Sequence, residues 1–101
     1  MKTDTEVTEV IFRKDKEGIY ALMPYEISNY FHGLVTCYQH IGQHSQAEYF
    51  SCIAKSKPAK KGQYTDLLNE LISIGYNVKP ITRINLKKYI EAVGASRKAH
   101  A

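Results

Sequence analysis

The chain has no tryptophan, and its 101 residues include only two cysteines, two methionines and three prolines. Two thiols, Cys37 and Cys52, are too few for the cross-linked lattice of a small disulfide scaffold, and they do not form the close cysteine pairs of a zinc finger. No apolar run approaches the roughly 20 residues that a membrane-spanning helix needs. Residues 1–10, MKTDTEVTEV, lack the apolar centre of a signal peptide. These shortages point to a cytoplasmic protein with free thiols and no membrane contact. Internal repeats are missing too, which excludes a solenoid.

What remains is the composition of an ordinary globular domain, 44% hydrophobic and 24% charged. A chain of this length buries about 60–70% of its unfolded surface, enough for one core. One domain over residues 1–94 is expected, followed by a flexible tail over 95–101. The net charge of +4 is uneven: residues 1–50 carry seven acids and four bases, residues 51–101 three acids and ten bases. Such asymmetry suggests an anionic partner for the second half, although the plainer reading, a lysine-rich solvated surface, is preferred.

Hydrophobic periodicity supplies the elements. Residues 7–13 alternate as a strand, residues 14–18 turn, and residues 19–23 return as the second strand of a hairpin, which Pro24 should end because proline cannot donate to a ladder. Residues 25–33 read as a loop and residues 34–39 as a third strand. Residues 47–54 fit a strand or a short helix, with the strand preferred because Pro58 follows closely. Tyr64, Leu67, Leu68, Leu71 and Ile72 form a one-sided stripe, predicting a helix over 63–74 with Gly75 just past its end. Residues 76–82 read as an edge strand, marked by Pro80. A second helix starts at an Asn85 cap, carries Leu86, Tyr89, Ile90 and Val93 on one face, and ends at Gly94. The order β-β-β-(β)-α-β-α predicts an α+β fold: an antiparallel sheet of four or five strands with a helix on one face.

Residues 8–13, the string Tyr38-Gln39-His40-Ile41-Gly42-Gln43-His44-Ser45, Lys57-Pro58-Ala59, and the spaced residues Tyr64, Leu67, Leu68, Glu70, Leu71, Ile74, Gly75 and Tyr76 carry a resemblance. Over about residues 8–83 the chain resembles a group of small uncharacterised bacterial and mobile-element proteins. The resemblance implies an α+β domain of no established activity. One departure is the start of the first helix, where Lys60, Lys61 and Gly62 stand in place of a good cap and acidic residues.

Residues 38–45 concentrate the polar chemistry. Cys37, His40, His44 and Cys52 are the residue types of a zinc site, but only the histidines are closely spaced, so no metal or other cofactor is assigned. Cys37 or Ser45 beside a histidine would make a nucleophile, yet no nucleophile elbow surrounds Ser45 and Glu48 is the lone nearby carboxylate. No catalytic residue is assigned. Tyr38, Gln39, His40, Gln43, His44 and Ser45 instead offer hydrogen bonds to a ligand or protein partner, against the plainer alternative that they satisfy loop backbone. Lys55, Lys57, Lys60 and Lys61 form a second candidate, an anion site at the entrance of the first helix, where cations oppose the dipole. Lys87, Lys88, Arg97 and Lys98 would extend its field. The expected function is a small non-catalytic accessory protein acting by protein–protein contact; the alternative is sequence-tolerant nucleic-acid binding through residues 55–61.

Overall fold

The computed structural model of the chain describes residues 6–39 and 43–99. Strands β1 (Thr8–Asp15) and β2 (Gly18–Asn29) form the expected antiparallel hairpin, with Arg13 opposite Tyr20 and Asp15 opposite Gly18. In its turn the Asp15 carboxylate accepts a hydrogen bond from the Glu17 N–H at 2.8 Å.

Pro24 does not end β2. It is buried within the strand, and the register against β3 (Leu34–Gln39) jumps from Met23–Thr36 to Ile27–Val35 across it. A bulge takes the residue that cannot donate out of the ladder, and the strand continues where a loop was expected. The turn after Asn29 is closed by its side-chain carbonyl, which accepts from the Phe31 and His32 N–H groups at 3.0 and 3.2 Å.

The ambiguous segment divides at Glu48. Strand β4 (Gln43–Glu48) pairs antiparallel with β3, and helix α1 (Tyr49–Lys55) follows in place of the preferred strand. The Glu48 carboxylate decides the boundary by accepting from the N–H groups of Phe50 at 2.8 Å and Ser51 at 3.1 Å. These bonds hold the Glu48 carboxyl below the usual carboxylate range.

Beyond α1, the two-residue strand β5 (Lys57–Pro58) pairs with Arg13 and Lys14 of β1. Helix α2 (Lys61–Ser73) starts at the lysine-rich junction that the sequence marked as poorly capped. The Gln63 carboxamide compensates in part, accepting from the Lys60 backbone N–H at 2.9 Å; the Lys60 ammonium has no acceptor to return the bond. Gly75 follows α2 with φ +111°, a conformation natural to glycine at a helix end. Strand β6 (Val78–Ile81) then lies parallel to β1, with Thr8 opposite Val78 and Ile11 opposite Ile81. The described sheet thus has the order β4-β3-β2-β1-β5, with β6 also on β1, and is antiparallel except for the β1–β6 pair.

Asn85 caps helix α3 (Leu86–Ala99) as expected, accepting from the Lys88 N–H at 3.1 Å. Gly94 does not stop this helix, which runs on to Ala99 where a tail was expected. Interior glycine costs about 1 kcal/mol relative to alanine, and its small, helix-compatible neighbours tolerate that.

Strand alternation gives the sheet two apolar faces. Val10, Phe12, Ala21, Met23 and Tyr38 pack against Leu67 and Leu71 of α2, with the Phe12 and Tyr64 rings stacked at 4.2 Å. Ile11, Tyr20, Leu22, Val35 and Cys37 pack on the other side with Tyr49 of α1, and with Ile84 and Tyr89 at the periphery. Arg13 is buried on that second side. Its guanidinium donates to the Ser56 hydroxyl at 2.9 Å and to the carbonyls of Ile53 and Ser56 at 3.0 and 2.8 Å.

Candidate functional site

The described residues of 38–45 do not converge on one site, because the β3–β4 ladder sorts them by face. Tyr38 lies opposite His44, and Cys37 opposite Ser45. Tyr38 is fully buried towards α2 and its hydroxyl donates to the Glu70 carboxylate. His44 packs edge-on against the Tyr38 ring at 4.7 Å, and its Nε2 lies 3.0 Å from the Tyr76 hydroxyl. Ser45 faces the α1 side beside Cys37, while Gln39 is exposed at the end of β3. His40 lies outside the described residues, as does the side chain of Gln43.

The same alternation separates the residues of the metal and nucleophile readings. Cys37 and Cys52 share the α1 side of the sheet, and His44 is on the α2 side. Burial pushes the Cys37 thiol up to about 11 and raises that of Cys52 as well, so both stay protonated at neutral pH. Among the described residues no group of three or more His, Cys, Asp or Glu side chains could hold a metal ion.

The four lysines are divided among three consecutive elements. Lys55 closes α1, Lys57 lies in β5, and Lys60 and Lys61 open α2, all of them exposed. Lys14 joins them, directly opposite Lys57 across the β1–β5 pair. Like charges facing across a ladder oppose pairing, so this short strand is held by its neighbours rather than by its own side chains. At the β1–β2 turn, Asp15, Glu17 and Asp66 line an open hollow of about 510 Å³ with Gln39 and Gln63. Of the described residues in the two candidate sets, only Gln39 lines this hollow.

A third surface was not anticipated. Leu86 and Ile90 of α3 are 54% and 60% exposed, and Phe31 and Phe50 are 79% and 49% exposed. Tyr89 joins these positions: its hydroxyl donates to the Gly33 carbonyl at 2.7 Å, beside the Phe31 turn, and its ring meets that of Phe50 edge-on at 6.0 Å. Lys87, Lys88, Arg97 and Lys98 share α3 with these residues, against Glu91 as its single acid, and Arg83 precedes the helix. The i, i+3, i+4, i+7 stripe was legible in the sequence, but periodicity does not reveal whether a neighbour covers the stripe.

Comparison with known protein families, curated proteins and solved structures finds no match to this chain.

Proposed function

We propose that the chain is a small non-catalytic binding protein that engages another protein through the apolar surface of Phe31, Phe50, Leu86 and Ile90. The exposure of Leu86 and Ile90 on a helix with no fully buried residue carries this reading. Contiguous exposed apolar surface with a polar rim is the usual mark of an interaction site, and central aromatic and aliphatic anchors supply most of its energy. The basic rim fits a partner whose own apolar contact is edged with carboxylates. Residues 38–45 fit this reading as structural polar groups, since Tyr38 and His44 find their partners within the chain.

A second reading, phosphate-backbone binding through Lys14, Lys55, Lys57, Lys60 and Lys61, is favoured by the Lys14–Lys57 opposition, which folding does not require. Affinity capture from a native lysate, with and without nuclease, separates the two. Ile90→Asp should abolish capture of a protein that survives nuclease treatment, while the double variant K57E/K60E leaves it intact. Capture that is indifferent to Ile90→Asp, or that disappears on nuclease treatment, overturns the first reading; the latter outcome supports the second.

A further inference from the structure

The two borders of the sheet are built differently. On one side β5 is two residues long and ends in Pro58, and β6 carries Lys79 and Pro80. Short strands, lysine and proline are the ordinary ways to stop a border from recruiting another strand. On the other side β4 is six residues long, Gln43-His44-Ser45-Gln46-Ala47-Glu48, with no proline, no lysine and no register break against β3. Among the described residues its only strand neighbour is β3. An antiparallel pair leaves half of a border strand's N–H and C=O groups facing outward.

We infer that β4 is the self-association edge of this protein, pairing antiparallel with β4 of a second copy about a twofold axis normal to the sheet. Such an axis keeps each face on its own side, so residues meet only partners of the same face. Centred on Gln46, it places His44 opposite Glu48 of the second copy, Gln46 opposite Gln46, and Ser45 opposite Ala47. The strand is thus compatible with itself: a carboxamide faces a carboxamide at the centre, its NH2 free to donate while its oxygen accepts from Ser28, and no like charges meet at the ends, where His44 and Glu48 keep their bonds to Tyr76 and to the start of α1.

A second copy fits better here than a foreign extended peptide. Strand-adding sites read foreign sequences with side-chain pockets beside the edge, whereas His44, Ser45 and Gln46 are exposed polar residues. The strand pair alone falls short of the roughly 1,200 Å² of a specific interface. Exposed Phe50 follows Glu48 by two residues and exposed Phe31 lies in the turn before Leu34, which pairs with Glu48, so part of the apolar surface assigned above to a partner borders this edge and would be shared with it. The α3 surface is a poorer self-contact, because an antiparallel copy would bring Lys87 and Lys88 towards Arg97 and Lys98. Because the opposite border is blocked, association closes at two copies and does not propagate.

Sedimentation velocity of the full chain across a concentration series tests this. Wild type should move from monomer to dimer and stop there. Gln46→Lys and Gln46→Glu should each weaken the dimer by about tenfold or more through like-charge opposition, with unchanged circular dichroism because the side chain is exposed. An equimolar mixture of the two variants should restore the dimer. Wild type that remains monomeric, grows beyond a dimer, or dimerises equally well with either charge at position 46 overturns the inference. So does a dimer abolished by Ile90→Asp but untouched by Gln46→Lys, which would place the contact on α3.

Discussion

Helices α2 and α3 are nearly equal in length, 13 and 14 residues, and both carry an apolar stripe with helical spacing. Leu67 and Leu71 of α2 are buried in the core on one side of the sheet, whereas no residue of α3 is fully buried. The sheet side accounts for the contrast. α2 has its face almost to itself, while α1, Ile84 and the Arg13 contacts already occupy much of the face that α3 approaches. α3 is attached chiefly by polar tethers: Tyr89 to Gly33, the Asn85 N–H donating to the Tyr25 hydroxyl at 2.8 Å, and Lys88 pairing with Glu9. An apolar stripe becomes core only when the opposing layer has apolar surface left to cover.

Truncation should expose this contrast most strongly. Leu71→Ala is expected to destabilise the fold by roughly 2–5 kcal/mol in urea unfolding, and Ile90→Ala by less than about 0.5 kcal/mol. Comparable losses at the two positions would mean that α3 is as much core as α2. The alkaline limb of stability is the next largest effect. The Cys37 thiol ionises near 9.0 in the unfolded chain and about 11 in the folded one, so the unfolded state loses its proton first. Stability contributed by the buried neutral thiol is full below pH 9 and lost as pH rises through 11, by on the order of 2–3 kcal/mol. Cys37→Ala should remove that part of the slope, and an unchanged slope would show Cys37 to be wetter than its burial indicates. Tyr89→Phe removes the tether to Gly33 and should cost about 1 kcal/mol. Its clearer signature is faster hydrogen exchange in α3 with little change in α2; equal acceleration in both helices would deny the separate attachment of α3.

Much of the α+β fold was legible in the sequence. The first hairpin, the third strand, α2 with Gly75 at its end, the edge strand at Pro80 and the Asn85 cap all follow from local alternation, helical spacing and terminus chemistry. The misses have two causes: two depend on distant parts of the chain, and two on local choices that short-range signals leave open. Pro24 is tolerated because β3 shifts register beside it, and α1 forms because Glu48 happens to face its free N–H groups. α3 outlasts Gly94, and β6 runs parallel to β1 because α2 carries the chain back across the sheet. The candidate site fared differently. Residues 38–45 looked like one cluster only while they were taken as a turn; once residues from Gln43 onward pair with β3, period-two alternation splits Tyr38 and His44 from Ser45. Lys60 and Lys61 stand at the start of α2, whereas Lys55 ends α1 and Lys57 lies in β5, a division that local charge runs do not reveal.

The pairing of Thr8 with Val78 joins segments seventy residues apart. During synthesis, residues 8–48 can zip into a four-strand meander from neighbouring segments alone. β1 then waits with one border bare, bearing Val10, Ile11 and Phe12, until residues 57–58 and 78–81 leave the ribosome. That interval is the vulnerable period of this fold, since pairings so far apart in sequence close slowly and an unpaired apolar strand invites misassociation. Chains released before residue 81 should therefore depend on chaperones in a way that chains lacking only the last turns of α3 do not.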